Sequence, residues 1–162
     1  MKKLIVSLIV LTAIISIFGV TSFAAPDSLA PDMVGNTKEL ITVTNPEGTS
    51  DMTFDNSYVI SGYGEVGTVV TVYAFNAETG LYEKLYKTVT TVGEDGVTAV
   101  QQQSVSSVIG ESTLFFNTVN LGSGTNSYMV YAENGERIQI GKYFVIKHDY
   151  NVFDVIRSWG AY

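Results

Sequence analysis

Reactive side chains are scarce in this chain. Of its 162 residues one is histidine and none is cysteine, which excludes disulfide frameworks, thiolate metal sites and cysteine nucleophiles. A nucleophile–base pair would have to use His148 or a carboxylate. His148 stands in Lys147-His148-Asp149 with no Gly-x-Ser-x-Gly serine elsewhere, and it reads as a solvated strand-end residue. Ser104, Ser106 and Ser107 read as polar strand faces. Paired acids held roughly 5–10 Å apart would suit glycoside hydrolysis. The available pairs are Glu94-Asp95, Asp51/Asp55 and Glu133/Glu136, and all fall in turn sequences, where carboxylates commonly cap backbone amides. The expectation is therefore a protein that is not an enzyme. Oxygen ligands in loops also suit calcium, and Asp51, Asp55, Glu94 and Asp95 are the residues that would hold it, although no twelve-residue calcium-loop pattern accompanies them. No other cofactor is indicated.

Aromatic chemistry is better represented, with ten Tyr and eight Phe. In Leu81-Tyr82-Glu83-Lys84-Leu85-Tyr86, period-2 alternation sets Tyr82, Lys84 and Tyr86 on one strand face and Leu81, Glu83 and Leu85 on the other. That row is the candidate ligand-binding face, on which tyrosines would stack against sugar rings. Ordinary β-propensity and cross-strand packing account for the same residues. Both readings stay open. The formal net charge of −7 argues against a phosphate-reading surface, so no nucleic-acid partner is expected.

Short β-branched and aromatic runs, separated by Gly, Asn, Asp and Ser, have to position these residues. The spacing predicts strands over 40–44, 57–61, 69–75, 81–90, 98–106, 112–117, 127–132 and 137–146. Asn45-Pro46-Glu47-Gly48, the run from Gly62 to Gly67, Asn76 to Gly80 and Gly93 to Gly96 read as turns. Asn134-Gly135 gives the strongest hairpin signal, and Gly141 suggests a bulge or bend in the last strand. About seven to eight strands without a sustained helical period predict an all-β chain, an antiparallel β-sandwich. Within 69–75, Val70 and Val72 should face inward, with Tyr73 on an outer, half-wet face.

The chain ends call for separate treatment. Met1-Lys2-Lys3, an apolar run from Leu4 to Val20 and the small residues Ser22 and Ala24 describe a signal peptide over 1–24, cleaved after Ala24. An uncleaved membrane anchor is the competing reading, and it is the only membrane contact the sequence offers. Residues 25–38, with two prolines and few large apolar side chains, read as a flexible leader. Residues 148–162 form a tail in which Val152, Val155, Ile156 and Trp159 would make one stripe of a short helix. The double-lysine start and cysteine-free body fit a protein exported by a Gram-positive bacterium.

Two segments resemble the bacterial immunoglobulin-like domains of secreted and cell-surface proteins. Val59-Ile60-Ser61-Gly62-Tyr63-Gly64-Glu65-Val66-Gly67-Thr68-Val69-Val70-Thr71-Val72-Tyr73 is similar to that family's strand, glycine turn and alternating-valine strand. The segment from Leu121 to Gly135 is similar to its late strand and hairpin. The resemblance spans 39–147 and implies an immunoglobulin-like sandwich that serves cell-surface adhesion, spacing or protein interaction, without shared catalytic residues. Partners would be a protein or a glycan at the cell surface, and a carbohydrate-binding module is the alternative reading. Tyr128, two residues before Val130, has the spacing of a tyrosine corner.

Overall fold

The computed structural model describes residues 25–92 and 98–147, and within them every regular element is a β-strand. In chain order these are β1 (Ser28–Leu29), β2 (Ile41–Asn45), β3 (Ser50–Thr53), β4 (Ser57–Gly64), β5 (Val69–Asn76), β6 (Leu81–Lys84), β7 (Tyr86–Val92), β8 (Thr98–Ser104), β9 (Ser106–Val108), β10 (Leu114–Asn120), β11 (Gly124–Asn134) and β12 (Arg137–Lys147). The larger sheet runs β1-β6-β5-β11-β12-β3 with β9 also on β5; the smaller runs β10-β4-β2; and β7-β8 form a separate ribbon. All pairings are antiparallel except β12 with β3. The protein is an all-β, mainly antiparallel β-sandwich.

Alternation explains how the two sheets meet. Tyr58 and Ile60 of β4 and Phe115, Asn117 and Val119 of β10 point inward, while their neighbours are exposed or, at Ser61, half-buried. They pack against Val70, Val72, Tyr128, Val130 and Ala132 of the larger sheet. Burial of such aliphatic side chains, each worth about 1.5–3 kcal/mol, is the main favourable contribution. Asn117 donates to the Val70 carbonyl at 3.4 Å, a polar tie between the sheets. Tyr128 makes the expected corner: its hydroxyl donates to the Asn120 carbonyl at 3.2 Å, joining β11 to the end of β10.

Residues 25–38 are not a flexible leader in this structure. Strand β1 pairs with β6, Leu29 opposite Tyr82, and Leu29 is buried with Tyr73, Tyr82, Met129 and Tyr131 in a second apolar cluster. The Tyr73 hydroxyl donates to the Pro26 carbonyl at 2.5 Å, and the Lys84 amide donates to the Asp27 carbonyl at 2.9 Å. Further along, Asn36 accepts from the Ile138 amide at 2.7 Å, and the Thr37 amide donates to the Ile138 carbonyl at 3.1 Å. Gly35 lies so close to β12 that a Cβ would collide with the Ile138 carbonyl. This cover also corrects the expectation for Tyr73, which is fully buried, not half-wet.

Other differences are local. The expected strand over 81–90 divides at Leu85 and that over 98–106 at Val105, where the chain leaves the large sheet for the ribbon and returns. The stretch 50–53, unremarkable in sequence, is strand β3 on the edge of β12. Strand β4 continues through Gly62, whose missing side chain admits the Thr42 carbonyl and the Phe115 ring; this glycine serves close packing, not a turn. Gly141 causes no bulge, since register with β11 is unbroken, and the Tyr143 ring occupies its vacant side-chain space. The last hairpin turns one residue later than expected: Asn134 pairs with Arg137 around Gly135-Glu136. Gly135 has φ +62°, as a turn with glycine first demands. The expected signal peptide (1–24), the turn around Glu94-Asp95 and the tail (148–162) with His148 lie outside the described residues.

Candidate functional site

The Tyr82–Lys84–Tyr86 row is not an open face. Tyr82 is 5% exposed and packs beside Leu29 of the neighbouring β1, its hydroxyl 2.8 Å from Ser127 Oγ and its ring 5.3 Å from Phe75. Lys84 bonds the Ala25 carbonyl and pairs with Asp27 at 3.3 Å. Tyr86 alone is exposed, and it starts the ribbon. Alternation put the first two on one face as expected, but the segment 25–38 covers that face.

The acidic candidates are engaged locally. Asp51 accepts from the Met52 amide at 2.7 Å and from the Tyr58 hydroxyl at 2.5 Å, and these bonds, the tyrosine's first, hold its carboxyl below the usual range. The Tyr58 hydroxyl also reaches Asn45 Oδ1 at 2.9 Å. Burial, with the Asp51 charge adding to it, pushes that phenol above its ordinary value. Asp55 is bonded within its own turn to Thr53. Among the described residues no three His, Cys, Asp or Glu side chains gather as a metal site; Glu94 and Asp95, the other half of the calcium set, lie outside them.

Glu133 and Glu136 do not act as a pair: Glu133 is buried on β11 and Glu136 is exposed in the turn. Burial raises the Glu133 carboxyl above the usual range, opposed by a hydrogen bond from Tyr131 and by the Lys84 charge. An acid raised in this way holds its proton more tightly folded than unfolded, so the folded state loses stability as pH rises from the ordinary carboxylate range through the raised value. Glu133→Gln is expected to melt at a higher temperature than the parent at pH 7. The difference should vanish in acid, below the ordinary carboxylate pKa of about 4.3. Melting curves across pH check this, because Asp51, Glu65 and Glu83, whose carboxyls are lowered, affect both proteins equally.

One surface that stands open is the outer face of the smaller sheet; the β12–β3 edge of the larger sheet also exposes Met52, Phe54, Phe144 and Ile146. The smaller sheet's register sets Tyr63 opposite Leu114, Ser61 opposite Phe116 and Val59 opposite Thr118, with Thr42 opposite Tyr63 on the other side. Tyr63, Val59, Leu114 and Phe116 are 51%, 42%, 56% and 69% exposed. Diagonal neighbours on a sheet lie about 7–8 Å apart, within reach of aromatic rings, so Tyr63, Leu114 and Phe116 form one patch. Beside it is a hollow of ≈ 360 Å³ lined by Thr44, Ser61, Gly62, Tyr63, Leu114, Phe115 and Phe116. The outward residues of the three strands carry no charge, in a molecule of net charge −7. The signal for this face was the period-2 alternation of β4 and β10. A more open hollow of ≈ 520 Å³ near Phe75 carries Glu78, Glu83 and Lys84, but Glu83 is bonded to Thr79 and Lys84 to Asp27. In comparison with known proteins, no family model and no curated protein matches the chain.

Proposed function

We infer that this chain is a non-catalytic binding module of an exported, cell-surface protein, in the manner of bacterial immunoglobulin-like domains, and that it holds a neutral partner on the outer face of the smaller sheet. The observation that carries this reading is the charge-free patch of Tyr63, Leu114 and Phe116 on an otherwise acidic molecule. Exposed apolar side chains grouped in one patch mark interaction surfaces, whereas single ones do not. Aromatic residues near the centre of such a patch carry most of the binding energy. The non-catalytic part is supported by the local engagement of Asp51 and Asp55 and by the separation of Glu133 from Glu136. Export is supported by the amino-terminal sequence pattern. Ala25, the new terminus after a cut at Ala24, already packs on the second apolar cluster, so such a cut spares the described fold.

The partner favoured is a protein surface, because Leu114 and Val59 add aliphatic area beside the rings. A specific observation supports glycan as a second reading: the hollow is lined by the exposed rings of Tyr63 and Phe116, the buried ring of Phe115, and Thr44 and Ser61, which carry hydroxyls. The test compares the parent chain with the Tyr63→Ser/Phe116→Ser double variant for retention on the native cell-surface fraction. Parallel samples of that fraction are treated with protease or with periodate. Loss of two central rings should weaken retention by about tenfold or more, while melting temperature changes little because both side chains are exposed. Sensitivity to protease selects protein and sensitivity to periodate selects glycan. Undiminished retention of the double variant overturns the reading.

A further inference from the structure

The β7-β8 ribbon stands apart from the sandwich and calls for a partner of its own. Its strands pair from Tyr86 with Ser104 to Val92 with Thr98, and among the described residues neither strand has a neighbour on its other edge. The base is fixed by three backbone bonds: Leu85 to Val72 at 3.0 Å, Val105 to Leu85 at 2.7 Å and Val72 to Val105 at 3.0 Å. Beyond that base there is little cover. Every residue of β8 from Thr98 to Gln103 is exposed, Val100 by 65%, and so is Tyr86 by 52%. A two-stranded ribbon wet on both faces is marginal in water, and a third strand is the usual remedy.

Edge strands that must stay single carry charge, proline or a bulge. Strand β8, Thr-Ala-Val-Gln-Gln-Gln-Ser, has none of these, and its pairing with β7 is in unbroken register. Strand β7 carries Lys87. In a chain of net charge −7, β8 is therefore an edge where a second copy meets no like charge. It is also self-complementary. Two β8 strands laid antiparallel at full overlap set Thr98 opposite Ser104, Ala99 opposite Gln103, Val100 opposite Gln102, and Gln101 on the two-fold axis. A primary amide both donates and accepts, so two Gln101 side chains can bond each other reciprocally. Gln102 does not compete, because its amide already donates to Thr88 within the ribbon at 3.0 Å.

We propose that two copies of this chain associate through β8, edge to edge and antiparallel about Gln101, turning two ribbons into one four-stranded sheet. The contact is isologous, as two-fold dimers require. It is short, so association is reversible and visible by concentration. The occupant is a second copy; an extended segment of another protein would leave the purified chain monomeric.

Sedimentation of the purified chain over a concentration series, with hydrogen exchange on the same samples, tests this. The expected result is a mass that rises toward twice that of the single chain, with protection of β8 amides appearing in step. Gln101→Lys, which places two like charges on the axis while leaving the ribbon's own pairing intact, should remain monomeric, as should Gln101→Glu. An equimolar mixture of the two should recover the doubled mass, an outcome that ribbon misfolding cannot produce. A parent chain that stays monomeric up to about millimolar concentration (the weak end of binding) overturns the proposal, as does a Gln101→Lys variant that dimerises undiminished.

Discussion

Val130→Asp is expected to leave the chain without a cooperative fold. Val130 is completely buried on β11, directly across from Val72 of β5, which is also completely buried. Both face the inward residues of the smaller sheet in the main apolar cluster. An aspartate there has no basic side chain among its core neighbours, which are apolar or tyrosine apart from the Asn117 amide, itself bonded to the Val70 carbonyl. Either the carboxylate stays ionised without a partner or it takes up a proton, and in both cases it also loses the valine's contacts. The penalty is several kcal/mol, comparable to the whole stability of a domain this size, about 5–15 kcal/mol. Val130→Ala, which removes only apolar volume, should still fold and melt lower, with a loss of about 1.5–3 kcal/mol. Circular dichroism with thermal melting separates the cases. A sigmoidal transition for Val130→Asp within a few degrees of the parent would mean that the two sheets do not enclose this position.

The inward set was legible because alternation has a physical cause that acts on every strand of a sandwich. Successive side chains point to opposite faces, and one of those faces must meet the other sheet. Val70, Val72 and Val130 follow directly. Tyr128 was legible for a similar reason, since its offset from Val130 fixes where its hydroxyl falls relative to the preceding strand. What alternation does not encode is the fate of the outer face. In β5 that face carries Tyr73, and in β6 Tyr82, and both are buried by a segment with no periodic pattern of its own. A two-residue strand and a few backbone bonds hold 25–38 in place. Such a segment is shorter than any window in which a period can be recognised.

The candidate site illustrates the same limit. Tyr82-x-Lys84-x-Tyr86 and Val59-x-Ser61-x-Tyr63 are equivalent patterns on paper. One is covered by a neighbouring segment and anchored to Ala25 and Asp27; the other lies on a sheet with nothing over it among the described residues. Cover is a tertiary property, decided by where Leu29 docks. Strand breaks at Leu85 and Val105 were equally hidden, since the residues on either side keep high β-propensity. There the chain changes sheets because three backbone bonds among Val72, Leu85 and Val105 fix the corner.

That dependence on Leu29 has a measurable consequence. Leu29→Ala should remove the anchor of the covering segment, at a cost of about 2–5 kcal/mol for a fully buried leucine. The loss should be uneven. The second cluster, in which Tyr73 and Tyr131 meet edge to face at 6.1 Å, is separated from the main one by the central strands β5 and β11 themselves. Cooperative units of a protein open with different free energies. The segment should therefore peel away before the sandwich melts. Hydrogen exchange would register this at the amides of Lys84 and Thr37, which donate to Asp27 and Ile138 across the docking contact, and proteolysis would cut between residues 25 and 38. The Val130 amide should keep most of its protection in the same sample, because the main cluster is untouched. If Lys84 and Val130 amides lose protection together, the cover and the sandwich are one cooperative unit and Leu29 belongs to the main core. If neither changes and the melting temperature is that of the parent, the segment is not held by Leu29 at all, and the tyrosine face of β5 and β6 is open after all.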